Sequence, residues 1–544
     1  MARPPYRTFA FCFVAVTGCA GGMMGGGQRG PTTRAERSGY LETSQYADVV
    51  AFLDSLGGRR ELAFGSIGKT SEGRDIPYVV ASRPAVSTPG EARKLGRPIV
   101  YVQGNIHGGE VEGKEALLAL LRDLTNSRRA NVLDSIVLIA IPIYNADGNE
   151  RLASQETNRG SQNGPEMVGQ RSNAQGLDLN RDYIKAEAPE TRASLAMFNL
   201  WDPHVFVDLH TTNGSYHGYA LTFAPPLNPA ARLGAFTRDS LLPVLRERMR
   251  RRHNFETFDY GDFVSEDTLS LGWITFDSRP RFGTNYFGLR GRVAILSEAY
   301  SHDPFQRRVA STYAFVREIL SLSAERATTL MSARPGGGDS SSEAPVRPVA
   351  LRSDLMQAPD SVEVIAESVE RTGDSIRTEP GVPKGQRRSG RFTSVRMPIF
   401  DRFEATLTRR PPAAYAIFPR DTVAVRVLRE HGIHSDVTTA PWVDTVEAFR
   451  VDSVVVAERP FQGHREVRLV GSWSRTVRTI PRGSFIVNMA QPLLDLGVYL
   501  LEPESDDGLA TWNFFDSSLR AGLPFPVLRL LRGPPRDSVG VDRD

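Results

Sequence analysis

The chain lacks an excess of charge of either sign. Its 66 Lys and Arg residues nearly balance its 63 Asp and Glu residues, which leaves a formal net charge of +3. Two of these positive charges are Arg3 and Arg7. Binding to nucleic-acid phosphates needs a concentrated basic surface. The composition therefore argues against a nucleic-acid partner.

The start of the chain has an apolar run that is too short to span a bilayer. The run extends over residues 9–16, follows two arginines, and ends in the sequence Val16-Thr17-Gly18-Cys19. These features are typical of a secretory signal peptide. The end of the run resembles a bacterial lipobox, and the resemblance implies lipidation of Cys19. We therefore expect a lipid-anchored protein of the bacterial cell envelope. The resemblance favours the outer membrane, facing the periplasm or the cell surface.

Cysteine is almost absent. The sequence of 544 residues holds two, and Cys12 lies inside the predicted signal peptide. Cys19 would then be the one cysteine of the mature protein and would carry lipid, so no intramolecular disulfide is expected. Stability must come from buried apolar side chains, and the length is ample for two or more domains with their own cores.

A histidine and a glutamate three residues apart come soon after a strand-like apolar run. The run is 98–102, and His107 and Glu110 follow it. A catalytic zinc takes three protein ligands and leaves one position for water, and two histidines with one glutamate are an attested set. His210 closes the run 204–210, which alternates as in a strand that ends at the carboxyl edge of a sheet, where ligands collect in open α/β sheets. We therefore predict His107, Glu110 and His210 as zinc ligands.

A late carboxylate completes the chemistry that hydrolysis of an amide requires. The reaction needs an activated water, a polarised carbonyl and a proton for the leaving amine. A bound zinc would supply the first two. Glu298, at the end of the apolar run 292–298, is the candidate general base. The alternative is an ion pair between Glu298 and Arg292, because structural ion pairs imitate catalytic sites.

The order of these motifs is similar to that of a known family. Asp178, Asn180 and Arg181 lie between the two histidine segments, and Glu298 follows both. The order of His-x-x-Glu, an Asn-Arg pair, a His that ends a strand and a Glu on a late strand resembles the zinc carboxypeptidase family of carboxypeptidase A type, over roughly residues 40–333. The resemblance implies a zinc metallocarboxypeptidase with one Zn²⁺ per catalytic domain, which hydrolyses peptides that have a free C-terminus.

The resemblance also implies roles for the middle motif. A guanidinium can hold a carboxylate by two parallel hydrogen bonds, so Arg181, with Asn180 beside it, would bind the terminal carboxylate of the substrate. Asp178 would orient a ligand histidine. The alternative for Arg181 is an ion pair with Asp182 or Asp178.

Two further assignments depend on the resemblance alone. A second arginine should help to polarise the scissile carbonyl, and we favour Arg171 over Arg159. Tyr286 is the candidate for a tyrosine that closes over the substrate. It lies only twelve residues before Glu298, which departs from the spacing of the best-known members of the family.

The catalytic region alternates strand-like and helix-like segments. We predict strands at 98–104, 135–144, 204–210 and 293–298, and helices at 112–126, 190–200, 230–251 and 304–333. This alternation predicts an α/β fold with a mostly parallel sheet and helices on both faces. The family resemblance implies a mixed sheet of eight strands.

The chain is divided by its composition. We predict a lipoprotein signal peptide at 1–18, a lipidated cysteine with a flexible tether at 19–38, a catalytic domain at 39–333, a linker with possible short strands at 334–396, and a smaller α/β or β-rich accessory domain at 397–544.

Two rival functions remain open. Zinc deacylases of N-acyl amino acids resemble this pattern too, since they use His-x-x-Glu, a later His and an Asn-Arg pair; a cell-wall peptide is a further possible substrate. The second rival is a non-catalytic envelope binding protein that keeps the fold. Parallel assays on peptides and on acyl amino acids distinguish a deacylase from a carboxypeptidase. Absence of bound zinc would favour the non-catalytic binding protein.

Overall fold

A computed structural model describes residues 30–126, 129–333, 347–373, 380–535 and 538–540. The predicted signal peptide, Cys19, most of the predicted tether and the start of the predicted linker lie outside these residues. No helix in the described ranges is both long enough and apolar enough to cross a membrane.

The strands of the described residues are β1 (Leu62–Lys69), β2 (Asp75–Ala81), β3 (Ile99–Gly104), β4 (Val137–Ile141), β5 (Ala153–Ser154), β6 (Met167–Val168), β7 (Val205–Thr211), β8 (Leu221–Ala224), β9 (Thr257–Asp259), β10 (Asp262–Phe263), β11 (Trp273–Ile274), β12 (Val293–Ala299), β13 (Val349–Gln357), β14 (Val362–Arg371), β15 (Gln386–Met397), β16 (Ile399–Arg409), β17 (Ala414–Ile417), β18 (Asp436–Thr438), β19 (Trp442–Val456), β20 (Val467–Ile480), β21 (Phe485–Asn488), β22 (Pro524–Leu530) and β23 (Val539–Gly540).

The α-helices of the same ranges are α1 (Arg34–Arg37), α2 (Tyr46–Ser55), α3 (Pro89–Lys94), α4 (Glu112–Asn126), α5 (Ala146–Glu150), α6 (Gln155–Asn158), α7 (Pro189–Trp201), α8 (Gly234–Phe236), α9 (Leu242–His253), α10 (Gly283–Leu289), α11 (Phe305–Glu325), α12 (Ala327–Ser332), α13 (Thr422–Glu430) and α14 (Leu494–Leu501). A π-helical stretch at Thr237–Leu241 joins α8 to α9, and short 3₁₀ helices lie at Val132–Asp134, Leu179–Arg181 and Leu269–Leu271.

The central sheet has eight strands in the order β1-β2-β4-β3-β7-β12-β8-β9. The four pairings β4–β3, β3–β7, β7–β12 and β8–β9 are parallel, and the other three are antiparallel. The mixed, mostly parallel α/β sheet predicted from the sequence is therefore confirmed. Its parallel strands place their carboxyl ends at one edge, where ligands collect.

Both faces of this sheet are covered. Successive strand residues point to opposite faces, and in β3 Tyr101 belongs to one buried apolar cluster while Val100 and Val102 belong to another. Helices α4, α9 and α11 cover the second cluster, and α7 and α10 cover the first. The central strands are buried along their whole length, which is why they read as continuous apolar runs.

Most predicted elements of the catalytic region form close to their expected positions. Helix α4 has the predicted bounds, β3 and β12 deviate by one residue at one end, and β7 is shifted by one residue at both ends. The predicted helix 304–333 is interrupted at Arg326, which lies between α11 and α12. Residues 230–251, expected as one helix, instead contain a loop, α8, the π-helical stretch and part of α9.

The predicted linker requires a correction. Its described part, beginning at residue 347, contains strands of 9, 10 and 12 residues rather than short pieces. Strand β13 pairs with β16, and β14 pairs with β15. This part of the chain is folded because its strands pair with one another and pack against the catalytic unit, where Gly218 N donates to Ile365 O at 2.8 Å.

The last part of the chain forms an antiparallel sheet in the order β20-β19-β22-β17-β21-β18-β23. Together with α13 and α14 it makes the small α/β unit expected from the sequence. This unit shares one apolar cluster with the catalytic unit, since Tyr286 and Phe198 lie in the same cluster as Val425 and Leu428. The two units therefore bury apolar surface against each other.

A buried ion pair also joins the two units. The main-chain N–H of Arg281 donates to Asp507 Oδ2 at 2.8 Å, and Arg281 Nε donates to Asp507 Oδ1 at 2.9 Å. Arg281 Nη1 donates to Glu466 Oε1 at 2.8 Å. Both Arg281 and Asp507 are buried, so Asp507 depends on Arg281 for compensation of its charge, while Arg281 is compensated by Asp507 and Glu466 together.

Candidate metal centre and cleft

Three strands bring the predicted site together at one edge of the sheet. Strand β3 leads into the loop that carries His107 and Glu110, while His210 lies near the end of β7. Glu298 lies near the end of β12, directly beside His210 in the parallel register. Because parallel neighbours run in one direction, both side chains reach the same edge.

The loop after β3 is held by its own polar and small residues. Asn105 has a φ of +62°, and its side-chain amide donates to the carbonyls of His107, Gly108 and Glu110 at 3.1–3.2 Å. A Cβ on Gly108 would lie 2.4 Å from the Gly148 carbonyl carbon, so the two main chains can approach only without a side chain there. The sequence between His107 and Glu110 is thus required for the packing of this loop.

The three predicted ligands converge. One ligand atom from each of His107, Glu110 and His210 lies within 4.8 Å of the others, which makes this the one potential metal-binding group of three or more His, Cys, Asp or Glu side chains in the described ranges. His107 Nδ1 lies 2.9 Å from Glu110 Oε1, and His210 Nδ1 lies 3.0 Å from Glu110 Oε2. All three side chains are buried.

The far nitrogen of each imidazole faces a carboxylate. His107 Nε2 lies 3.1 Å from Asp178 Oδ1, and His210 Nε2 lies 3.0 Å from Asp208 Oδ2. A carboxylate on one ring nitrogen holds the proton there and leaves the lone pair of the other nitrogen for a metal. The Nδ1 atoms therefore point to the centre, and the set of two imidazoles and one carboxylate fits a zinc ion.

Charges around the ligands shift their titration. Burial opposes ionisation of Glu110, but the neighbouring His107 and Arg159 hold the pKa of its carboxyl well below the usual range. Burial likewise opposes the charged form of His210, yet Asp208 and Glu110 raise the pKa of its imidazole well above the usual range. The centre is thus built from groups that stabilise charge in a buried place.

Glu298 lines the cleft beside the ligands. Burial raises the pKa of its carboxyl to about 8, the charge of His210 opposes this shift, and the charges of Glu110 and Asp262 add to it. Its Oε2 is buried and receives no hydrogen bond from any described residue. Arg292 pairs with Asp202 rather than with Glu298. The alternative of a structural ion pair is therefore wrong, and the carboxylate is available to a substrate.

The Asn-Arg pair, Asn180 and Arg181, lies on the short 3₁₀ helix Leu179–Arg181 and lines the same cleft. Asn180 Oδ1 accepts from Gly283 N at 2.8 Å, and its Nδ2 lies 3.4 Å from His210 Nε2. The Arg181 guanidinium stacks over Phe282 at 3.9 Å and donates to the Asn180 carbonyl. It forms no ion pair with any described residue, whereas Asp182 pairs with Lys185 and Asp178 pairs with Arg171. Arg181 therefore keeps donors for a ligand in the cleft.

The two candidate arginines occupy different places. Arg171 lines a cleft of about 240 Å³ together with the ligands, Glu298 and Arg181. Its guanidinium donates to Asp178 Oδ2 at 2.8 Å and lies 3.3 Å from His107 Nδ1. Arg159 is buried behind the ligands and donates to Glu110 Oε1 at 3.0 Å. Arg171 is thus the one of the two that lines the cleft.

Tyr286 does not reach the cleft. It is fully buried on α10, where its ring stacks on Tyr183 and its hydroxyl lies 2.6 Å from His431 Nδ1. His431 Nε2 faces the Ile184 carbonyl at 3.1 Å and donates to it, so Nδ1 accepts from the Tyr286 hydroxyl. The expectation that Tyr286 closes over the substrate is wrong for this structure, because its hydroxyl is bound between the two units.

The structure also places residues that we did not expect in the site. Asp208 supports His210 and lies two positions before it on β7, so the alternation of the strand could have revealed it. Asn105 arranges the ligand loop, and Arg159 supports Glu110. Tyr260 and Asp262 line the cleft from a region in which the sequence carries no recognisable motif.

A comparison with protein families matches residues 50–222 to the zinc carboxypeptidase model. This range includes all three predicted ligands and the Asn-Arg pair. Glu298 lies beyond it, so the placement of Glu298 rests on the geometry of β12.

Relatives that are named carboxypeptidases match either most of the chain or a part of it. Carboxypeptidase 2 of Trichophyton equinum is 26% identical over 501 residues, which cover 85% of this chain and 81% of the relative. Carboxypeptidase Z of Mus musculus is 36% identical over 124 residues, which cover 22% of this chain and 17% of the relative. Among solved structures, a metallo-carboxypeptidase from Burkholderia cenocepacia is 17% identical with a TM-score of 0.39, covering 51% of this chain and 69% of that one.

Proposed function

We propose that this chain, whose residues 50–222 match the zinc carboxypeptidase model, uses zinc and Glu298 to remove single residues from the C-terminus of peptides. The observation that carries the proposal is the cleft in which His107, Glu110 and His210 lie beside Glu298 and Arg181. A group that can hold a metal meets there with a carboxylate and an arginine that form no ion pair with any residue the structure describes.

His107, Glu110 and His210 would hold the zinc ion. When bound, zinc supplies Lewis acidity toward the scissile carbonyl and lowers the pKa of a water molecule. Asp178 and Asp208 hold the two imidazoles in the orientation that this requires, since each lies 3.0–3.1 Å from an Nε2 atom.

The remaining steps belong to side chains of the cleft. Arg181 binds the terminal carboxylate of the peptide through two N–H groups, and the Asn180 amide lies beside it. Glu298 takes a proton from the attacking water and delivers it to the leaving amine, for which its raised pKa of about 8 is suited. Arg171 faces the same cleft and stabilises the negative charge that develops on the carbonyl oxygen.

Digestion of a mixed peptide pool tests the proposal. The full chain loaded with zinc is incubated with peptides that are free or amidated at the C-terminus, and the products are read by mass spectrometry. We expect loss of single residues from the free peptides only, and no loss with Glu298→Gln. Bound zinc without any cleavage would instead favour a deacylase of N-acyl amino acids, which the same protein would show on acyl amino acids. Absence of bound zinc would contradict the proposed mechanism.

We also propose that the protein is anchored in the bacterial cell envelope by lipid on Cys19. The support is the sequence Val16-Thr17-Gly18-Cys19 after a short apolar run. Phase separation of a bacterial lysate in detergent tests this proposal with the variant Cys19→Ser. The wild-type protein should enter the detergent phase and the variant should not; equal partition of the two would contradict lipidation.

A further inference from the structure

The cleft contains a carboxylate that the proposed reaction does not use. Asp262 lies on β10, and it lines the cleft together with Glu298, Arg181 and Leu296. Its neighbour Phe263 points the other way, into a buried cluster where its ring meets Trp273 at 5.0 Å. Since successive strand residues point to opposite sides, Asp262 is directed into the cleft.

Asp262 has no compensating charge of its own. No described residue forms a hydrogen bond or an ion pair with its carboxylate, although most charged groups around the cleft are paired. Burial alone raises its pKa. A carboxylate that is removed from water without a partner is costly, and a cation that enters beside it recovers much of this cost.

Asp262 is placed where the last side chain of a peptide would lie. Arg181 marks the position of the terminal carboxylate, and Glu298 marks the position of the scissile bond. Tyr260, Asp262, Phe276 and Leu296 line the same cleft, and the side chain of the terminal residue would lie against them. Leu296 lies two residues before Glu298 on β12 and therefore faces the same side.

The composition of this wall suits a long side chain with a positive end. Phe276 and Leu296 offer apolar surface to a methylene stem, and Asp262 offers one negative charge to its head. We propose, on the basis of the proposed function, that Asp262 makes this enzyme selective for peptides that end in lysine or arginine. Asp262 is then a residue that determines specificity, whereas Glu298 acts in the chemistry.

The test compares peptides that differ only in the last residue, which is arginine, citrulline or leucine. Citrulline has nearly the shape of arginine without its charge. We expect kcat/KM of the wild-type protein to be on the order of 100-fold higher for arginine than for citrulline. In Asp262→Asn the ratio should fall to about one, and Asp262→Glu should retain a preference for arginine. Asp267→Asn is the matched control, because Asp267 is exposed and outside the cleft, and it should keep the wild-type ratio.

The outcomes separate this inference from the proposed function. Equal wild-type rates on arginine and citrulline peptides, or an unchanged ratio in Asp262→Asn, would overturn the specificity and leave the carboxypeptidase activity standing. Absence of cleavage of all peptides by the wild-type protein would overturn both. Cleavage of the leucine peptide by Asp262→Asn shows that this variant is folded, and a lost ratio with retained cleavage supports the inference.

Discussion

Single carboxylates in this site differ in their surroundings and therefore in what they do. Glu298 is buried, has a pKa raised to about 8 and has an Oε2 without a described partner. Glu110 is surrounded by His107, His210 and Arg159, and its pKa lies well below the usual range. The first environment favours proton transfer and the second favours a permanent negative charge.

Substitution of Glu298 should therefore remove activity without removing the metal. In Glu298→Gln we expect kcat to fall by roughly 10²- to 10⁴-fold, because the group that moves the proton is lost. Zinc content, measured by elemental analysis, should match that of the wild type, since no ligand is altered. A variant that keeps kcat within a few-fold would exclude Glu298 as the base.

Asp178 contacts one of the proposed zinc ligands, His107. Its Oδ1 lies 3.1 Å from His107 Nε2 and also accepts from Asn180 N at 2.9 Å. In Asp178→Ala we expect the zinc dissociation constant to rise by about 10- to 100-fold, because the imidazole loses its fixed orientation. Competition with a chelator measures the change. An unaltered dissociation constant would show that Asp178 does not orient the ligand.

At the residue scale, the sequence predicts those side chains whose position follows from the alternation of side-chain direction along a strand or from the spacing of a motif. His107, Glu110, His210 and Glu298 belong to this group. Tyr286 does not, because its direction depends on how α10 turns against Tyr183 and against the second unit. Nothing in the local spacing of the chain reveals the orientation of that helix.

Among the elements, the buried strands could be read from the sequence and the exposed ones could not. Strands β3, β7 and β12 are buried at every position, so their apolar runs stand out. Strand β15 exposes most of its side chains and carries several arginines. Such a strand lacks the alternation that signals a half-buried sheet, which is why the composition of residues 334–396 predicts a linker with only short strands.

The turn between β19 and β20 connects the second unit to the metal site. Gln462 has a φ of +50°, and its Oε1 accepts from the main-chain N–H of Asp178 at 2.9 Å. In Gln462→Ala we expect zinc to bind roughly two- to tenfold more weakly, which corresponds to the loss of one hydrogen bond. The control is Gln491→Ala, whose amide bonds His434 and Asn488 instead. Equal zinc affinities of the two variants would show that the turn does not support the site.

For the whole molecule, the boundary between the two units is the region that acid should weaken. His431 directly follows α13 and is fully buried between Tyr286 and Ile184. Burial lowers the pKa of its imidazole to about 3, below its ordinary value near 6.5. Between these two pH values His431 is protonated in the unfolded chain and neutral in the folded one. The contribution of His431 to stability is therefore complete above pH 6.5 and declines as the pH falls toward 3.

The variant His431→Asn tests this coupling, because its side-chain oxygen can still accept from Tyr286. Urea unfolding at pH 7, 6, 5 and 4 should show a weaker loss of stability with acid in the variant. The difference in slope should approach about 1.4 kcal/mol per pH unit for the removal of one such histidine. His434→Asn, at an exposed position, should retain the wild-type slope. Identical slopes in all three proteins would show that His431 is not responsible.

The buried pair of Arg281 and Asp507 limits how the two units can be exchanged between related proteins during evolution. Loss of Arg281 leaves the fully buried Asp507 without an ion pair among the described residues, and loss of Asp507 leaves the buried Arg281 with Glu466 alone, so either loss should destabilise the fold. A recombinant gene that joins this catalytic unit to the C-terminal unit of a relative would therefore produce a stable protein only if both positions came from compatible parents. Over evolutionary time the two positions should change together or not at all, which ties the histories of the two units to each other.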